Sequence, residues 1–197
     1  TQLPPEEQHV VIVGGGLLGL ELAAALKHKK VKITIIQRAS RLMERQLDRI
    51  SSKLLAEEVQ QRDIQIYFDN EVSTVFSTNR AHELEIALKS GRTLTANAIV
   101  YTIGTIPNIE VAKEAGLTCA RGVKVNQYLQ SSNPSIFAIG EIAEFNNQLF
   151  GITSAAEEQA DILANYLAGD ISSHYKGSVL MNILKLEDIN LCSIGEI

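Results

Sequence analysis

The chain has 197 residues, 45% hydrophobic and 21% charged, with 4 Pro and 13 Gly, a composition that excludes a disordered tail or a collagen-like repeat and can bury a real core. Its 18 Lys and Arg against 23 Asp and Glu leave a net charge of −5, so no net positive field draws in nucleic acid. Cys119 and Cys192 form no CxxC, and His9, His28, His82 and His174 lack ligand spacing, which leaves neither a redox dithiol nor a metal site.

Residues 9–13 (His-Val-Val-Ile-Val) are a short apolar run ended by three glycines, as expected of a central parallel strand covered on both faces. From Leu17 the spacing of Leu18, Leu22, Ala25 and Leu26 predicts a helix that ends in Lys27, His28, Lys29 and Lys30. A second apolar run over residues 31–36 completes a βαβ unit. No glycine follows Lys30 to cap the helix. Residues 47–62 predict an amphipathic helix with Ile50, Leu54, Leu55 and Val59 on one side, followed by an alternating strand through Ile64, Ile66 and Phe68. The pattern then becomes an antiparallel meander over 71–76, 82–89 and 93–95, and residues 98–103 return as a central strand. Further on, the expected elements are a short helix at 109–115, strands at 123–125 and 136–139, a helix at 154–168, and a weakly alternating stretch from 180 onward. The class is α/β.

The longest uncharged run, residues 93–109, contains Thr, Asn, Gly and Pro and is too short for a bilayer-spanning helix. Residues 1–7 have neither a basic end nor an apolar core, so the expectation is a cytoplasmic chain with no membrane segment.

Gly14-Gly15-Gly16-Leu17-Leu18-Gly19 satisfies GxGxxG between a strand and a helix. In that context Gly14 allows the tight turn, Gly16 lets a pyrophosphate approach the backbone, and Gly19 lets helix meet strand. An acidic residue that would hold the adenosine ribose is expected near position 37, where the chain has Gln37-Arg38. This pair either accepts a ribose or its 2′-phosphate, giving weak discrimination against NADPH, or is a solvated pair at a strand end. Glu21 lies between Leu20 and Leu22, and either reaches a cofactor amide or pairs with a cation elsewhere.

These residues resemble a known family. Val13 to Glu21, with Tyr101-Thr102-Ile103-Gly104-Thr105-Ile106-Pro107-Asn108, resembles the NAD(P)H domain of the FAD-dependent pyridine nucleotide-disulfide oxidoreductases. Ser132-Asn133-Pro134-Ser135-Ile136-Phe137-Ala138-Ile139-Gly140-Glu141 resembles that family's second flavin motif, although most members have Asp where Glu141 stands. Gly140-Glu141-Ile142-Ala143-Glu144, Arg41-Leu42-Met43, Gln46-Leu47-Asp48, Glu158-Gln159-Ala160, Tyr175-Lys176-Gly177-Ser178, Leu184-Lys185-Leu186 and Ser193-Ile194-Gly195 are similar to the branch containing the large subunit of NAD(P)H-dependent nitrite reductase.

The resemblance implies a Rossmann-like NAD(P)H-binding domain with an antiparallel β-meander over residues 1–108, the trailing part of an FAD-binding domain over 109–170, and the start of an interface domain over 171–197. It implies a fragment, inactive alone, of an enzyme that passes hydride from NAD(P)H to FAD and electrons onward to a metal centre. Sirohaem and iron–sulfur groups would lie in other parts of that enzyme, which would be the chain's partner. Ferredoxin or rubredoxin reductases and NADH oxidases share the same half, and a dinucleotide-binding redox sensor is the non-catalytic alternative. The implied cofactor contacts are Gly14, Gly15, Gly16, Leu17, Leu18 and Gly19 at the pyrophosphate, Glu21 at the nicotinamide amide, Gln37 and Arg38 at the adenosine ribose, Gly104 at the cleft wall, and Gly140 and Glu141 at the FAD ribityl chain. The resemblance assigns this chain no catalytic side chain and no metal ligand.

Overall fold

Three glycines follow β1 (His9–Val13), and the chain turns there into α1 (Leu17–Lys27) and returns as β2 (Lys32–Ile36) beside the strand it left. This computed structural model describes residues 8–80, 82–186 and 189–195. The sequence-based readings of residues 1–7 lie outside them. No helix among the described residues is long and apolar enough to cross a membrane.

Two compact units divide the chain: Thr1–Gly104 with Met181–Ile197, and Thr105–Leu180. In the first, α2 (Arg49–Gln61) leads to β3 (Ile64–Tyr67), and β7 (Ala98–Tyr101) joins the other side of β1, giving a parallel sheet of order β3-β2-β1-β7. Between β3 and β7 runs the antiparallel meander of β4 (Val72–Ser77), β5 (Leu84–Leu88) and β6 (Thr93–Ala96). Alternation along β1 explains its continuous apolar run. Val10 and Ile12 pack with Leu20, Ala23, Leu55 and Val59 of the helices, whereas Val11 packs with Ile86, Leu88 and Ala96 of the meander. Both faces of β1 are therefore buried.

The missing glycine after α1 is replaced by Lys30 itself, which takes the left-handed conformation at φ +59 so that Lys32 can enter β2. At α2 the buried stripe is Ser52, Leu55, Ala56 and Val59, while Ile50 and Leu54 are 73% and 58% exposed, so the apolar face expected from the sequence is set in the wrong phase. The physical reason is Ser52: its hydroxyl donates to the Leu42 carbonyl (2.8 Å), which makes a polar residue acceptable in the core. Asp48 caps this helix by accepting the Ser51 N–H at 2.7 Å. The weakly alternating C-terminal stretch forms a hairpin, β11 (Met181–Leu186) and β12 (Ile189–Ile194), whose Leu184 and Leu186 join the cluster around α1.

The second unit holds α3 (Glu110–Glu114), the small sheet of β8 (Val123–Val125), β9 (Ala143–Phe145) and β10 (Gln148–Leu149), and α4 (Thr153–Leu167). Leu129, Phe145, Phe150, Ala155 and Tyr175 form its core. The strand expected at 136–139 is absent. Phe137 makes only an isolated bridge to Gln130, since the backbone bonds Ser131 N–H to Ile136 and Ala138 N–H to Leu129 close a local loop with no longer strand to extend along. The strand forms later, at β9.

His9 links the two sheets of the first unit. Its Nδ1–H donates to the Thr95 carbonyl (2.6 Å), which leaves Nε2 to accept from the buried Thr34 hydroxyl (2.9 Å). Burial pushes its pKa below the ordinary value of 6.5; the bond to Thr95 opposes this and Lys32 adds to it. Above that ordinary value the ring is neutral whether the chain is folded or unfolded. As pH falls through it, the unfolded chain takes up the proton first and stability is lost. Urea midpoints measured at about pH 7.5 and about pH 5.5 should show this loss, and His9→Asn should reduce it.

Candidate functional site

The four glycines of the turn have four different environments. Gly14 adopts φ +114, donates its N–H to the Ile36 carbonyl (2.9 Å), and has the Thr102 carbonyl oxygen 2.5 Å from where a Cβ would stand. A Cβ on Gly19 would collide with the Gly14 carbonyl oxygen and lie 2.7 Å from Thr102 Oγ1. The Thr102 hydroxyl is 3.1 Å from both the Val13 and the Gly14 carbonyl oxygens and braces the same point. Gly15 is turned away from the cleft: its N–H donates to Gln37 Oε1 (2.8 Å), its carbonyl accepts the Met43 N–H (2.9 Å), and a Cβ would meet Leu42 at 2.5 Å.

Gly16 differs from the rest. Its φ of −87 suits any residue, and none of the described residues comes within 4 Å of a Cβ placed there. No contact among the described residues requires a glycine at this position. Gly16 is also the N-cap of α1, which has no side-chain cap and no acid in its first turn, so the leading N–H groups lack a side-chain acceptor. The donor set and the open space both fit a phosphate group.

Around this turn the first unit forms a cleft of about 480 Å³. Of the residues predicted from sequence, Gly14, Gly16, Leu17, Leu18, Gln37, Arg38 and Gly104 line it, whereas Gly15, Gly19 and Glu21 do not. Glu21 is half-buried on α1 and pairs with no cation among the described residues. Gln37 is 7% exposed and uses both ends of its amide within the chain, since Nε2 donates to the Arg41 carbonyl at 3.0 Å. Arg38 is exposed at the rim.

Three charged residues in the wall escaped the sequence reading: Glu44, Arg45 and Glu71. The first two follow Leu42 and Met43, which are fully buried and so anchor the loop; that alternation of buried and charged residues was the available signal. Glu71 is bound by Lys89 at 2.6 Å, and this bond, with Arg38 beyond it, holds its carboxyl below the ordinary range.

Gly140 and Glu141 belong to the second unit, in the 3-10 turn Gly140–Ile142. Gly140 has φ +77, and its N–H donates to Oε1 of the fully buried Gln159 (2.6 Å), while the exposed Glu141 carboxylate accepts the Thr105 hydroxyl. Gln159 Nε2 is buried without a partner among the described residues, an orphaned donor that fits an additional acceptor at this turn.

Comparison with known proteins agrees over nearly the whole length. A family model described as pyridine nucleotide-disulphide oxidoreductase matches residues 1–160. The chain is 34% identical over 190 residues to an assimilatory nitrate reductase electron transfer subunit of Bacillus subtilis, covering 96% of this chain and 24% of the relative. It is 33% identical over 198 residues to a nitrite reductase [NAD(P)H] of the same organism, covering 100% of this chain and 24% of that protein. The chain thus spans about a quarter of the length of these curated relatives. Among solved structures, a ferredoxin reductase from Rhodopseudomonas palustris superposes with a TM-score of 0.89 at 28% identity, covering 98% of this chain and 48% of that one.

The glycine environments predict opposite responses to one added methyl group. Gly19→Ala should lower stability by roughly 3 kcal/mol, because backbone rather than a flexible side chain must give way, whereas Gly16→Ala should change it by less than about 1 kcal/mol. Denaturant unfolding of the two variants checks this.

Proposed function

Since this chain belongs to the pyridine nucleotide-disulphide oxidoreductase family, we propose that its first unit seats NAD(P)H in the cleft at the glycine turn, for hydride transfer to FAD in a flavoprotein reductase. The observation that carries this reading is Gly16, a glycine with ordinary backbone angles beside open space at an uncapped helix start. Gly14 and Gly19 bring α1 against the sheet so that the Gly16, Leu17 and Leu18 backbone faces the pyrophosphate. Arg38 stands at the adenosine ribose end and Gly104 forms the opposite wall, while Glu21 lies on α1 outside the cleft lining. In the second unit Glu141 holds the FAD ribityl chain, in a turn fixed by Gln159. When bound, NAD(P)H donates hydride and FAD accepts it and releases electrons singly. The chain's own residues bind and orient.

For the whole protein, the favoured electron route ends on nitrite, through a sirohaem and iron–sulfur centre beyond this chain's span. Its support is the pair of relatives named for nitrite reduction and for electron transfer in nitrate assimilation. A second reading, delivery of electrons to a ferredoxin, is favoured by the ferredoxin reductase fold. Both place the protein in the cytoplasm, where the free thiols Cys119 and Cys192 stay reduced. NAD(P)H oxidation by the flavin-loaded enzyme, with nitrite or a ferredoxin as acceptor, separates the two.

Calorimetric titration tests the cleft itself. The chain should bind NADH or NADPH, and Gly16→Val should weaken binding at least tenfold, about 1.4 kcal/mol, with an unchanged circular dichroism spectrum. Unaltered affinity would mean that the cleft is not the coenzyme site.

A further inference from the structure

We propose that Gln37 is a positioning residue of the cleft and not a reader of the ribose: its amide latches the loop 41–46 to the glycine turn, and thereby sets where Glu44, Arg45 and Gln46 meet the coenzyme. The inference rests on the reading of the cleft as a dinucleotide site.

Gln37 ends β2 in a fixed place. Its backbone N–H donates to the Tyr67 carbonyl (2.9 Å) and its carbonyl accepts the Asn70 N–H (3.1 Å). The side chain then bridges two peptide groups of opposite kind. Oε1 accepts from Gly15 N–H at 2.8 Å, and Nε2 donates to the Arg41 carbonyl at 3.0 Å. An N–H needs an oxygen opposite it and a carbonyl needs a nitrogen, so the amide has one satisfied orientation. At 7% exposure, the latch is shielded from competing water.

The loop it holds needs holding. Met43 lies in the left-handed region at φ +46 with its side chain buried, a conformation that persists only where several contacts over-determine it. Those contacts are the Met43 N–H on the Gly15 carbonyl, the Ser52 hydroxyl on the Leu42 carbonyl, and the Gln37 amide on Arg41. Gly15 lies between the two sides. A Cβ there would stand 2.5 Å from Leu42 Cδ2 and 3.3 Å from Gln37 Oε1, so this glycine serves the latch and not the ligand.

The Arg41 carbonyl gives a chemical reason for an amide at position 37. A carboxylate accepts the Gly15 N–H equally well, but it has no hydrogen for Arg41 and would set two acceptors against each other in a buried place. Glutamine is therefore required by the loop, whichever coenzyme binds.

Amide hydrogen exchange, trypsin cleavage after Arg41 and Arg45, and titration with NADH and NADPH form the test. In the unaltered chain the Gly15 amide should be protected at least about tenfold. Gln37→Met should abolish that protection, speed loop cleavage about tenfold or more, and weaken both coenzymes by similar factors, their ratio staying within about threefold. Gln37→Glu should keep the Gly15 protection, yet show the faster cleavage and the same parallel weakening. The proposal is overturned by an unprotected Gly15 amide in the unaltered chain. It is equally overturned if Gln37→Glu moves the NADH-to-NADPH ratio more than about tenfold while cleavage stays unchanged, because Gln37 would then read the ribose. If the unaltered chain binds neither coenzyme, the dinucleotide reading fails while exchange and cleavage still decide the latch. Should Gln37→Met not fold, the Gly15 amide and Gln37→Glu carry the decision.

Discussion

The first unit depends on one steric contact, the approach of α1 to the Gly14 carbonyl and Thr102 at a distance that no side chain on Gly19 would permit. With β1 and β7 parallel on one side and the helix start on the other, this contact brings the end of β1 and the start of α1 within reach of a single hydroxyl, Thr102 Oγ1. The helix start then opens onto the cleft and not into the protein. A larger residue at Gly19 would lift α1 from the sheet, and the donors of its first turn would move with it.

From that contact outward, the cleft is built by backbone polarity more than by side-chain charge. Gly15 directs its N–H to the Gln37 amide at the end of β2 and its carbonyl to Met43 in the loop behind it, so the next residue, Gly16, is the one that presents unoccupied space. The charges at the rim are mixed, Arg38 and Arg45 among Glu44 and Glu71, and Lys89 engages Glu71 directly. A mixed rim makes no strong net field. Position and donor geometry, not overall attraction, are left to select what enters.

The βαβ unit, the meander and the glycine motif were legible in the sequence because each is governed by local rules: strand alternation, helical spacing, and the close approaches that only glycine permits. What was misread depended on partners far along the chain. The stripe of α2 shifted because Ser52 finds the Leu42 carbonyl, which no periodicity reports. Residues 136–139 have a strand's composition but only a short loop to pair with. The site behaved similarly. The glycines announced themselves by spacing, whereas Arg45 and Glu71 enter the cleft from separate loops, and the engagement of Gln37 depends on the direction of one peptide carbonyl at Arg41. Sequence patterns carry no record of such directions.

The hairpin of β11 and β12 gives the first unit a discontinuous course, since it covers Leu20 and Ala23 of α1 with Leu184 and Leu186 that follow the entire second unit in the chain. At equilibrium this arrangement costs little, because loop closure grows only by about 0.6 kcal/mol for each doubling of length. During synthesis the consequence is larger. The apolar side of α1 leaves the ribosome before the inserted unit and its cover leaves after it, so the nascent chain carries an open hydrophobic strip throughout the translation of that unit. Chaperone occupancy in that interval, and the order in which the two units mature, follow from where one hairpin lies along the polypeptide.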